Sequence, residues 1–85
     1  MNALTQLPNI GKTVAQQLTQ VGVDSPEALA RMGSRQAWLR IQQRDPSACY
    51  NRLCALEGAI RGVRWHDLDP AVKADLKTFY QDHRA

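Results

Sequence analysis

The chain has 85 residues and a mass of 9.5 kDa, enough for one small domain with a single core and too little for two. Its net charge of +3, at a sequence pI of about 9.2, is too mild to mark a dedicated nucleic-acid binder by itself, but it is unevenly placed: from Arg31 to Arg64 seven arginines face only Asp45 and Glu57. No apolar run of about 18 residues is present. The opening MNALTQ lacks the basic-then-apolar order of a secretory signal, so the chain reads as soluble and cytoplasmic, with no membrane partner.

No window alternates apolar and polar residues as a half-buried strand would, while several repeat at three and four. That pattern predicts an all-α fold, a compact bundle of about five short helices forming one domain over residues 1–85. Met1 to Gln6 supplies barely a turn and a half. Gly11 to Val21 then places Val14, Leu18 and Val21 on one face, with Gly22 suited to close the helix in a left-handed conformation. Ser25 caps a short helix that has Pro26 first and Glu27 in its opening turn, turns Leu29 and Met32 inward and stops at Gly33. Ser34 is read as the cap of a third helix through Arg44 that buries Trp38 and Ile41.

Asp45-Pro46 both stops that helix and starts a fourth, because the residue before proline is pushed out of the helical region while Asp-Pro is a good helix start. The fourth helix runs to about Gly62 with Cys49, Leu53, Leu56, Ile60 and Val63 along one stripe. Cys49 and Cys54, five apart, point about 140° away from each other on a helix, so they read as reduced packing residues and neither a disulfide nor a metal pair. Gly58 and Gly62 sit one turn apart. They either admit a neighbouring backbone or, at Gly62, merely end the helix. Asp69-Pro70 repeats the start signal and opens a last helix with Val72, Leu76, Phe79 and Tyr80 inward, with Trp65 and His66 packed at the turn before it.

The segment LPNIGKTVAQQL contains Gly-Lys-Thr ahead of an amphipathic stretch, as a nucleotide-binding phosphate loop does. The nucleotide pattern Gly-x-x-x-x-Gly-Lys-Ser/Thr needs a glycine where Gln6 stands, and it follows a buried strand that this sequence does not supply. Leu-Pro-x-Ile-Gly followed by a helix resembles instead the hairpin of helix-hairpin-helix domains, where backbone amides at a helix amino end meet one DNA phosphate. Gly11 permits close approach, Lys12 adds charge and Thr13 offers a hydroxyl; such contacts carry no base information and weaken with salt. Asn9 stands where that family's hairpin has its first glycine. It tolerates a left-handed backbone, but its side chain is a candidate to crowd the phosphate. The hairpin therefore reads either as a DNA contact or as a helix-packing device.

Three longer segments, LPNIGKTVAQQLTQVGV, SPEALARMGSRQAWLRI and CYNRLCALEGAIRGVRWHDL, together resemble the carboxy-terminal domain of the TfoX/Sxy family. The resemblance implies a helical domain from bacterial regulators of natural competence, where it usually follows a separate amino-terminal domain. On that basis the leading expectation is a regulatory module touching DNA backbone without sequence preference through Asn9, Gly11, Lys12 and Thr13, with Arg31, Arg35, Arg40 and Arg44 as flanking contacts. The rival is a protein-interaction module that recognises a transcription factor or a second copy, its sign being an exposed apolar patch near Trp65 or Phe79. No cofactor, metal set or catalytic constellation is legible. His66 beside Asp67 lacks a nucleophile at any spacing the sequence can tie to it, so the chain does not read as an enzyme.

Overall fold

The computed structural model describes residues 3–84. A 3-10 turn, Ala3–Gln6, leads into α1 (Lys12–Gln20), α2 (Pro26–Met32), α3 (Ser34–Arg44) and α4 (Tyr50–Arg61); a second 3-10 turn, Trp65–Asp67, precedes α5 (Pro70–His83). The fold is all-α. Two of the predicted starts form as read: Ser25 Oγ accepts the Ala28 N–H at 3.1 Å, and the Asp69 carboxylate accepts the Ala71 N–H at 2.8 Å, each with proline at the first helical position. Among the described residues no helix is long and apolar enough to cross a membrane.

α4 is the central helix, with Leu53 through Ala59 buried without a break. It packs against α3, α5, α2 and the Trp65–Asp67 turn. Trp38 of α3 is fully buried; its indole N–H donates to the Cys49 carbonyl at 3.2 Å, and its ring meets Phe79 and Tyr80 of α5 edge-on at 6.1 and 5.7 Å. Such aromatic pairs add about 0.5–1.5 kcal/mol beyond the area they bury. They tie α5 to the α3–α4 layer, and the Tyr50 hydroxyl adds a bond to the Lys73 carbonyl at 3.1 Å.

Three local readings are corrected. α4 starts at Tyr50, because the Asp45 carboxylate is used on the turn after α3: Oδ1 accepts from the Ser47 N–H and hydroxyl, and Oδ2 accepts from Gln17 and Arg52. These bonds, led by the Ser47 hydroxyl, hold the Asp45 carboxyl down at about 2. Ser34 is the first residue of α3 and buried, not its cap; Gly33 occupies the cap. Cys49 and Val63 are exposed, since one precedes α4 and the other follows its left-handed end at Gly62 (φ 76°), while Cys54 is buried and burial pushes its thiol up.

Gly62 therefore ends the helix, and Gly58 is the close-approach residue. A Cβ at Gly58 would stand 2.6 Å from Asn9 Nδ2, 2.7 Å from the Val63 carbonyl oxygen and 3.3 Å from the Trp65 Cα. Real Cβ atoms do not come that close, so the loop after α4 and the Asn9 side chain both need this position bare. Gly58→Ala is expected to destabilise the domain by about 1–3 kcal/mol, the usual cost of overpacking a filled site. Denaturant unfolding measures it, and an unchanged midpoint would contradict this packing.

Candidate functional site

The loop Leu7-Pro8-Asn9-Ile10-Gly11 carries the chain from the first 3-10 turn into α1. Ile10 is its buried anchor, and the Ile10 N–H closes a tight turn on the Leu7 carbonyl at 3.4 Å. Asn9 has φ 70°, the one non-glycine in left-handed backbone among the described residues. That conformation aims its carboxamide at the end of α4. Nδ2 donates to the Val63 carbonyl at 3.0 Å and to the Ala55 carbonyl at 3.4 Å, while Oδ1 accepts the Trp65 N–H at 3.0 Å. The side chain thus turns toward the end of α4 and the turn beyond it.

The amino end of α1 is open. Gly11 is its extended cap (φ −90°, ψ −176°) and provides no side-chain bond, and nothing lies within 4 Å of where a Cβ at Gly11 would stand. Gly11, Lys12 and Thr13 are exposed, and the first turn holds no acidic side chain. The first N–H groups of a helix have no intrahelical acceptor, and the aligned peptide dipoles place about half a positive charge there. This end of α1 can therefore accept an anion.

The four arginines predicted to flank it do not gather there. Arg40 donates to the Val21 carbonyl at 3.3 Å, and Arg44 borders a small cavity beside Gln17 and Gln20, so both stand at the opposite end of α1. That end lies about 15 Å along the axis from Gly11, at 1.5 Å per residue. Arg35 sits over the Phe79 ring at 5.9 Å, and Arg31 lies in the last turn of α2. Besides Lys12, two arginines outside the expected set stand by the loop before α1. Arg52 and Arg64 line an open groove with Asn9, Val14, Asn51 and Trp65. The signal for Arg64 lay in Gly58 and Gly62: a close approach followed by a left-handed stop folds Val63-Arg64-Trp65 back toward whatever faces Gly58.

Glu57, next to Gly58, is buried with both oxygens used. Ser34 Oγ donates to Oε1 at 2.5 Å, and Arg61 Nε donates to Oε2 at 2.5 Å in an ion pair one helical turn apart. Burial alone would raise this carboxyl, but the bonds from Ser34 and Arg61 outweigh it and hold it below the usual glutamate value. A buried charge is tolerated when it is paired and hydrogen-bonded. The group joins the first turn of α3 to α4 and fixes how α4 is rotated.

The described residues thus form a helical domain with a buried polar clasp around Glu57 and an open amino end on α1. The model of the TfoX C-terminal domain matches residues 1–80, and the chain belongs to that family. It is 33% identical over 73 residues to Protein Sxy of Escherichia coli (strain K12), a match covering 86% of this chain and 35% of that protein, so the chain spans about a third of the length of that relative. Its structure is similar to that of an uncharacterized protein from Listeria monocytogenes in a triclinic form, with a TM-score of 0.92 and 47% identity over 96% of this chain and 97% of the other. A tetragonal form of a Listeria monocytogenes protein of unknown function gives 0.91 and 49% over 93% and 96%.

A carboxyl held low in the folded state stabilises the fold at pH above its unfolded value, and that contribution is lost as pH falls through the folded one. The thermal midpoint is therefore expected to hold above pH 4.5, the ordinary glutamate value, and to fall below it, with Asp45 adding a loss of the same sign toward pH 2. Glu57→Gln should be less stable at neutral pH and show a shallower acid decline. Parallel pH profiles for the two proteins would contradict the role given to Glu57.

Proposed function

We propose that this chain is a non-enzymatic regulatory module that contacts the DNA backbone without sequence preference, in support of transcription or competence control. The open amino end of α1 carries the reading. Gly11 is unobstructed, Lys12 and Thr13 are exposed, and the Asn9 side chain is drawn away toward α4. A phosphate there meets unpaired backbone N–H groups, the positive end of the helix dipole and an ammonium group. Kinship with the TfoX/Sxy family supplies the regulatory setting.

A second reading, a protein-interaction module that binds a transcription factor or another copy of the chain, is favoured by the exposure of Val63 and Trp65, at 37% and 38%, on the turn after α4. The two readings separate in one titration. Fluorescence anisotropy with a short labelled duplex is expected to report binding that weakens steeply with salt, and Lys12→Glu should weaken it by about tenfold or more, since it removes one phosphate contact and adds a repulsion. Absence of binding at about 50 mM salt, together with self-association in sedimentation, would replace the first reading by the second.

A further inference from the structure

Asn9, Val14, Asn51, Arg52, Arg64 and Trp65 line the open groove beside the hairpin, and the groove lining includes no acidic side chain. Arg52 is engaged with Asp45 at 3.1 Å, whereas Arg64 is exposed and forms no ion pair among the described residues. Trp65 is 38% exposed, in contrast to the fully buried Trp38. Its backbone is pinned by the Trp65 N–H to Asn9 bond at 3.0 Å. Lys73 Nζ lies over one face of its ring, 5.9 Å from the centroid, and donates to the His66 carbonyl at 2.9 Å, while the His66 ring meets it edge-on at 5.7 Å, which leaves the other face for a ligand. A half-exposed indole with Lys73 over one face, sharing with Arg64 a groove whose lining has no acid, is the combination of stacking platform and positive track that binds unpaired nucleotides. A folded duplex offers phosphates but keeps its base faces stacked, so it uses the charges of such a surface and leaves the ring idle.

We propose that the groove between the hairpin and the turn after α4 takes an unpaired nucleotide, its base stacked on Trp65 and its phosphates running between Arg64 and the amino end of α1. The preferred target is then a nucleic acid with single-stranded bases, a continuous duplex being held more weakly through its backbone alone. This rests on the nucleic-acid reading above and sharpens its substrate class. Asn51 provides an amide at the groove edge able to bond a base or sugar.

The test uses the whole chain with four probes: a decathymidylate strand, an abasic strand of the same length, a duplex, and polyglutamate as an acidic protein surrogate. Trp65 is the exposed one of the two tryptophans, so quenching of its emission reports stacking directly. The expected result is quenching by decathymidylate and binding about tenfold or more tighter than to the abasic strand or the duplex, in line with what one stacked base contributes. Trp65→Ala should erase that preference and Trp65→Phe keep most of it, while Arg64→Glu, at an exposed position, should weaken every nucleic acid. Equal binding of the abasic strand and decathymidylate, or duplex binding unaffected by Trp65→Ala with no single-strand preference, would overturn the stacking inference and leave the backbone reading standing. Binding of no nucleic acid would overturn both. Polyglutamate binding as tightly as decathymidylate would overturn the inference in favour of an acidic protein partner.

Discussion

The arrangement of this domain depends on one carboxamide. Asn9 reaches from the loop before α1 to the carbonyls of Ala55 and Val63 and to the N–H of Trp65, and so joins the amino end of the chain to the end of α4 and the turn beyond it. Each such bond contributes about 1 kcal/mol net, against roughly 1–2 kcal/mol for holding a residue with a Cβ in left-handed backbone. Asparagine is among the few residues that keep the cost low and supply the bonds. The partner condition is steric: Gly58 must be bare, because any Cβ there would occupy the space of Asn9 Nδ2 and the Val63 carbonyl. Two residues far apart in sequence are thus required together for this bridge.

The face of α4 that Gly58 presents is fixed one residue earlier. Glu57 is held by Ser34 from α3 and by Arg61 from its own helix, which leaves no freedom for α4 to rotate without stranding a buried carboxylate. The aromatic layer of Trp38, Phe79 and Tyr80 fastens the other side of the bundle. Rotation set by Glu57, approach allowed by Gly58 and orientation given by Asn9 form one chain of constraint. It ends with α1 presenting an uncapped helix end on the same side as the groove bordered by Trp65.

Much of this was legible as types of element and little of it as contacts. Helix starts at Ser25 and Asp69 were readable because a local acceptor two or three residues from its donor is a matter of short-range geometry. Asp45-Pro46 carries the same local signal, but its carboxylate closes a turn on Ser47 two residues on and accepts from Arg52 and the distant Gln17, so the helix starts later, at Tyr50. Ser34 was mistaken for a cap for a related reason: its true partner, Glu57, lies on another helix. The loop before α1 could be located from Leu-Pro-x-Ile-Gly, but periodicity cannot say where a side chain in left-handed backbone points. Charge density along the chain points to Arg31, Arg35, Arg40 and Arg44, whereas position beside the loop before α1 is decided by the reversal after Gly62, which brings Arg64 and Trp65 back toward Asn9.

The central claim is that the Asn9 bridge makes one surface of the α1 amino end and the turn after α4. Backbone amide NMR during titration with a short oligonucleotide tests it most directly. The account predicts that Gly11, Lys12 and Thr13 shift together with Arg64 and Trp65, and that Asn9→Gly, which keeps the left-handed backbone but removes the carboxamide, uncouples the two groups while the α3–α5 resonances stay in place. Shifts centred on Arg40 and Arg44 at the far end of α1, or a joint response that survives in Asn9→Gly, would contradict it.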